Sequence, residues 1–303
     1  MSDQTIHLLV TFDTNYIPPF QTMLTSAVQN TPGRKFHVWL LHSAIPQEDL
    51  TRLSGFCQTL GVPLTPLVMD RRLFADAPIS NQYPQEMYYR LLAPHLLPSS
   101  LHRVLYLDPD ILVINPLTPL WETELQGNLF AAASHTTVND LVNGINRIRL
   151  KTDQDYYNTG VLLMDLDRGR TDIHPQEIFQ HVQEHGSELL LPDQDVFNTL
   201  YGAKTLWIDD ALWNYDARYY PGYLLRSNGA YHMDWVMQNT AILHFCGKRK
   251  PWKKHTPAAL PRSTSIITSW PIETQRPFLQ FLLSRNKTSP RGFWSIGQKP
   301  LGF

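Results

Sequence analysis

Residues 104–115 read VLYLDPDILVIN, an apolar run broken by two aspartates on either side of a proline. Val104–Leu107 has the length and composition of a buried strand, and the apolar pattern resumes at Ile111. Proline donates nothing to a sheet ladder and belongs at strand ends and edges. Carboxylates are costly to bury without a partner. The break therefore marks where a strand stops, with Asp108, Pro109 and Asp110 at its carboxyl end. Residues i and i+2 of an extended segment face the same side, so the two carboxylates can converge on one cation. A solvated Asp-Pro-Asp turn is the competing reading of the same residues.

Outward from this stretch, strand-length apolar runs recur at Ile6–Phe12, Phe36–Leu41, Val62–Met69, Leu129–Ala133, Gly160–Asp165, Thr205–Asp209 and Ala241–Phe245. Between them lie helical patterns. Phe20, Met23, Leu24, Ala27 and Val28 share one helix face, after Pro18 and Pro19 at its start. PQEDLTRLSGFCQTLG (Pro46–Gly61) opens on proline and acids and ends on glycine. A further helix carries Tyr88, Leu91, Leu92 and His95 on one side, and Pro175 opens PQEIFQHVQEHG, closed by Gly186. Strands alternating with helices predict βαβ units in a parallel sheet covered on both faces. Ligands of such sheets sit beyond the strand carboxyl ends. Polar groups stand at three of those ends: Asp13, Asn15 and Tyr16; Asp108 and Asp110; and His244.

The composition suits a soluble globular chain: 303 residues, 43% hydrophobic, 17% charged and net charge -1. That charge gives no general attraction to nucleic acid. Cys57 and Cys246 are too few for a disulfide framework and match no zinc spacing. The N-terminal MSDQTIHLLV has neither the basic region nor the long apolar segment of a signal peptide, and no run reaches membrane-spanning length. The expectation is a cytoplasmic protein with one α/β domain over residues 1–252 and a C-terminal extension over 253–303. From Arg262 to Phe303 there are six Lys/Arg against Glu273 alone, interleaved with aromatic residues. Such a segment can lie on an anionic membrane, here the inner face, or can be a plain solvated extension.

His244 is the natural third partner for Asp108 and Asp110. Two carboxylates and an imidazole suit Mn2+ better than Mg2+ or Ca2+, with Mg2+ the second choice. The following GKRKPW supplies a glycine and three cations, Lys248, Arg249 and Lys250, which suits a diphosphate. No Walker A or G-x-G-x-x-G sequence is present, which removes the usual support for triphosphate or dinucleotide binding.

The ordered motifs TFDTNY, YYRLL, YLDPDILV, YYNTGVLLMD, LPDQDVFN and HFCGKRKPW together resemble the family-8 glycosyltransferases, over Ile6–Trp252. These retaining enzymes include bacterial lipopolysaccharide galactosyl- and glucosyltransferases and, more distantly, glycogenin. The resemblance implies a GT-A fold, a Rossmann-like mixed α/β sheet flanked by helices. It implies a UDP-glucose or UDP-galactose donor, Mn2+, and a carbohydrate, glycolipid or glycoprotein acceptor. By position, it implies that Thr11, Asp13, Asn15 and Tyr16 hold uracil and ribose. Arg90 would reach the donor, Asp108 and Asp110 with Pro109 between them and His244 would form the metal site, and Gly247 and Lys250 would steady the departing diphosphate. Asn158, Asp193 and Gln194 would line the sugar. Locally, Asn158 also reads as a turn residue and Asp193 as a helix N-cap.

Double displacement needs a carboxylate nucleophile, and Gln194 at the family position is an uncharged amide. Front-face substitution follows, with Asp193 holding a sugar hydroxyl and Lys250 stabilising the leaving group. The acid expected after the fifth strand is missing from AAASHTTVND, where His135 stands nearest and Asp140 farther on, so the sugar stays open between glucose and galactose. A non-catalytic relative or partner subunit would have lost a metal ligand or Lys250. A pyrophosphorylase would carry a Gly-rich N-terminal loop where this chain has VTFDTNY.

Overall fold

The computed structural model describes residues 5–70, 72, 85–134, 140–247, 250 and 252. Among the described residues, ten strands form two sheets. They are β1 (Thr5–Thr11), β2 (Lys35–His42), β3 (Leu64–Val68), β4 (Arg103–Leu107), β5 (Ile111–Val113), β6 (Phe130–Ser134), β7 (Tyr157–Asp165), β8 (Thr205–Ile208), β9 (Tyr215–Asp216) and β10 (Ile242–His244). The large sheet has the order β3-β2-β1-β4-β7-β6-β8, and the small one β5-β10-β9.

Alternate residues of the large sheet enter opposite cores. Leu8, Val10, Leu105, Leu107, Val161 and Leu163 pack on one side. Leu9, Val104, Tyr106, Leu162 and Met164 pack on the other. Burial on both faces is why these strands read as unbroken apolar runs. On the first side lies helix Ile17–Asn30, whose Phe20, Met23, Leu24 and Ala27 are buried as the periodicity predicts, with Val28 only partly so. Helix Gln47–Thr59 packs there too, followed by Gly61 at φ +69.

Two expectations from the local pattern are corrected. The sheet is mixed, as the family resemblance implies, and not parallel, as the strand–helix alternation alone predicts: β7 runs antiparallel to both β4 and β6. It follows β6 as its immediate neighbour, so the chain returns in the opposite direction with no crossover to the same end. The helix expected through Tyr88–His95 is a 3-10 helix, Gln85–Leu92, running into a short α-turn, Ala93–Leu96. Its three-residue repeat buries Tyr88, Leu91 and Leu92 but leaves His95 exposed, with a bond to the Ile173 carbonyl (2.7 Å). Gly186 closes helix Pro175–His185 as expected, in right-handed geometry (φ -50), and leads into a 3-10 turn.

The Asp-Pro-Asp break separates two sheets. Asp108 extends the β4 ladder by one bond, its N–H donating to the Gly160 carbonyl (2.8 Å). The chain then turns at Pro109 and Asp110 and enters β5, whose partner is β10. The edge of β5 is covered by helix Ile17–Asn30: Val113 N–H donates to Ser26 Oγ (3.0 Å), and Asn30 Nδ2 donates to the Val113 carbonyl (3.0 Å). The extension at 253–303 lies outside the described residues, as do Lys248, Arg249 and His135.

Candidate active site

Register brings the site together. Leu107 pairs with Val161, which sets Asp108 beside Gly160. In the small sheet His244 pairs with Ile111 on one side and Asp216 on the other. The Phe245 N–H donates to the Asp110 carbonyl (3.1 Å). Asp108 and Asp110 thus converge as the sequence predicts, through a turn and not an extended segment.

Asp108, Asp110 and His244 offer one ligand atom each within 4.8 Å of one another. His244 Nε2 lies 3.3 Å from Asp110 Oδ1 and 3.7 Å from Asp108 Oδ2. The remaining carboxylate oxygens are occupied by other groups. Asp108 Oδ1 accepts from Tyr106 Oη (2.5 Å) and faces Arg90 Nη1 at 3.1 Å. Asp110 Oδ2 accepts from Lys250, whose ammonium also donates to the Phe245 carbonyl (2.8 Å). Each aspartate therefore directs one oxygen at His244 and rests the other against a cation. Burial alone would raise the Asp110 pKa, but His244 and Lys250 hold it well below the carboxylate range. Burial likewise opposes charge on His244, yet Cys246 and Asp110 raise its pKa well above the ordinary imidazole value. The converging atoms, two carboxylate oxygens and an imidazole nitrogen, fit a divalent transition ion.

Gly160 floors this cluster. A Cβ there would lie 2.3 Å from His244 Cε1 and 2.8 Å from Asp108 Oδ2. Only a residue without a side chain permits that approach.

Arg90, Asp193 and Thr159 build the adjoining wall. Arg90 lies over the Tyr106 ring at 4.2 Å and donates to the Thr159 carbonyl (2.8 Å). Its Nε is 3.6 Å from Asp193 Oδ2, which also accepts from Thr159 Oγ1 (3.0 Å). Burial raises the Asp193 pKa, and Arg90 opposes it. Asp193 stands in the first turn of helix Pro192–Tyr201 and is not its N-cap. Asp195 holds that helix start, accepting from Leu190 and Leu191 N–H (2.7 and 3.2 Å) while Arg149 binds it with a two-pronged fork (2.6 and 2.8 Å). Asn158 lies within β7, and its Nδ2 donates to Gln194 Oε1 (3.3 Å).

The residues after β1 are more loosely joined to the cluster. Asp13 and Asn15 bond to each other (2.9 Å), and Thr11 Oγ1 reaches Tyr106 Oη at 3.4 Å. Tyr16 is half-buried, its pKa raised by burial, in the field of Lys250, Asp110 and Asp108. Gly247 takes φ +80, and a Cβ there would meet Arg218 Nη1 at 2.6 Å. Arg218 in turn pairs with Asp216 (2.5 Å).

Four contributors escaped the sequence reading: Tyr106, Thr159, Gly160 and Asn214. Tyr106 was findable, since it shares a side with Asp108 by the i, i+2 rule. Gly160 inside an apolar strand also signals close approach. Asn214, in ALWNYD, carries no pattern that marks it.

An open mixed α/β sheet of this order, with a second small sheet at the carboxyl end of its central strand, is the GT-A fold. The chain belongs to glycosyl transferase family 8, whose model matches residues 7–256, and is an enzyme that transfers a glycosyl unit. It is 26% identical over 266 residues to general stress protein A of Bacillus subtilis, covering 84% of this chain and 90% of that one. It is 23% identical over 249 residues to a lipopolysaccharide 1,2-glucosyltransferase of Escherichia coli, covering 79% and 71%. The crystal structure of galactosyltransferase LgtC with donor and acceptor sugar analogs shares the fold, with TM-score 0.70, 22% identity, and coverage of 90% of this chain and 100% of that one.

Proposed function

We propose that this chain is a retaining transferase that moves glucose or galactose from a UDP-sugar to a carbohydrate, glycolipid or glycoprotein acceptor. Asp108, Asp110 and His244 would hold Mn2+, with Mg2+ the second choice. The observation that carries this reading is the division of the two carboxylates, one oxygen of each turned to His244 and the other held by Arg90, Tyr106 or Lys250. When bound, the ion would offset charge on the diphosphate leaving group.

Lys250 sits beside that position and adds a second positive charge. Gly247 lets backbone approach the phosphates. Thr11, Asp13, Asn15 and Tyr16 would receive the nucleoside, Tyr16 by stacking. Arg90, Asn158, Asp193 and Gln194 would line the sugar. Asp193 is already engaged by Thr159 and Arg90, which suits a group that orients a sugar hydroxyl better than a free nucleophile. Gln194 carries no charge with which to attack the anomeric carbon. Front-face substitution fits both facts: the acceptor oxygen bonds to the anomeric carbon as the sugar–phosphate bond breaks on the same face. The acceptor proton passes to the departing phosphate. The names of the glucosyl- and galactosyltransferase relatives support a hexose.

The domain would span residues 1–252 of a cytoplasmic protein, with residues 253–303 as a basic, aromatic extension resting on anionic membrane. No helix among the described residues is long and apolar enough to cross a membrane. Deleting Arg262–Phe303 should lower vesicle binding and spare UDP binding.

Thermal shift with a panel of UDP-sugars tests the donor assignment. UDP-glucose or UDP-galactose with Mn2+ should raise the melting temperature, and chelator should abolish both the shift and UDP release. The absence of a shift with every uridine nucleotide would overturn the assignment.

A further inference from the structure

Asn214 is fully buried between helix Asp210–Trp213 and β9. Its side chain touches two groups, His244 Nδ1 through Oδ1 (2.8 Å) and Asn158 Oδ1 through Nδ2 (2.9 Å). The polarity of this chain of contacts is fixed by one backbone group. Gly160 N–H can only donate, and it donates to Asn158 Oδ1 (2.9 Å). The Asn158 oxygen therefore faces Gly160 and Asn214, and Asn214 must present its NH2 there. That leaves the Asn214 oxygen facing His244, which must donate from Nδ1. The other imidazole nitrogen, Nε2, faces Asp110 (3.3 Å) and Asp108 (3.7 Å), and it is the one that would give up its proton and offer a lone pair to an ion held between them. In the opposite direction, the Asn158 NH2 is left to donate to Gln194 Oε1.

We propose that Asn214 is a positioning residue that fixes the His244 tautomer and ties it, through Asn158, to Gln194. The metal-facing and sugar-facing halves of the site are thereby set by one amide. This rests on the proposed donor and metal reading, and deepens it. Losing a partner that orients a ligating histidine typically costs about 10- to 100-fold in metal affinity or activity.

Two variants divide the role. Asn214→Ala removes both contacts. Asn214→Asp keeps an oxygen for His244 Nδ1 but has no proton to give Asn158. Mn2+ binding to the nucleotide-free protein is read by the electron paramagnetic resonance of free Mn2+, and turnover by UDP release.

Asn214→Ala should weaken Mn2+ binding about 10- to 100-fold. Asn214→Asp should restore Mn2+ binding while kcat stays depressed about 10-fold, with the Mn2+ requirement unchanged. Parent-like Mn2+ binding by Asn214→Ala overturns the proposal. If Asn214→Ala does not fold, Asn214→Asp decides alone, and parent-like kcat overturns the tie to Gln194. A parent protein that binds no Mn2+ strikes the metal reading itself, a result distinct from either of these.

Discussion

The two sheets share an apolar core, to which the small one gives Ile111, Val113 and Ile242, but they differ in how much polar bonding surrounds them. In the large one, strands of up to nine residues bury both faces, as where Leu105 and Leu107 enter one core and Val104 and Tyr106 the other. Its stability comes mainly from apolar area removed from water. In the small one, strands of two or three residues are joined to their surroundings by polar side chains. Asn115 Nδ2 donates to the Met237 and Thr240 carbonyls (3.0 and 2.7 Å), and Thr240 Oγ1 to the Ala211 carbonyl (2.7 Å). Tyr223 Oη donates to Asp210 (2.8 Å), which Arg226 also grips (2.7 Å). The small sheet and its turns supply Asp110, Asn214 and His244. The site thus draws on both sheets, with Asp108, Asn158 and Gly160 from the large one, and substitutions should separate its polar groups from the apolar residues that hold them.

The sharpest break is Asp110→Asn, which should drop Mn2+-dependent UDP release to background while circular dichroism stays that of the parent. If the variant turns over donor at the parent rate, the metal assignment is wrong. Next comes Leu105→Ala in the large sheet, with an expected loss of about 2–5 kcal/mol by denaturant unfolding. Its kcat per folded molecule should equal the parent's, and a large fall in kcat would show that Leu105 does more than pack the core. Gly160→Ala stands at the border between the two sheets. Overpacking against His244 should cost about 1–3 kcal/mol and abolish the Mn2+-induced thermal shift. Asn115→Ala leaves two carbonyls without their donor and should cost about 1–3 kcal/mol by the same unfolding measurement.

The smallest effect concerns the β1–β2 face, where His37 stacks on Trp39 at 4.5 Å and lies 5.6 Å from His7. Burial first, and then the neighbouring His7, lower the His37 pKa. The unfolded chain thus takes up that proton more readily, so stability falls as pH drops through about 6.5. His37→Gln should flatten the slope of melting temperature between neutral pH and pH 5.5. An unchanged slope would place the acid sensitivity elsewhere.

Much of the large sheet was legible because burial on both faces writes itself as apolar runs, and strand ends as prolines and acids. The direction of β7 was not, since parallel and antiparallel neighbours leave the same local pattern. The convergence of Asp108, Asp110 and His244 was readable from residue chemistry, though the distance between His244 and the aspartates depended on a sheet pairing no local pattern reveals. Arg90 was identifiable only through the YYRLL resemblance. Asn214 acts through both ends of a single amide, and one buried polar residue in ALWNYD has no periodicity to expose it.

The Asp-Pro-Asp turn has a mechanical consequence. Asp108 belongs to the ladder of the large sheet, whereas Asp110 and His244 belong to the small one. An ion shared among them would fasten the seam between the two, so occupancy and the opening of that seam would draw on one free energy. Amide exchange in Ile242–His244 would then slow as the ion binds, reporting occupancy without any sugar being transferred. Anything that loosened the seam from afar would weaken the ion's hold by the same amount.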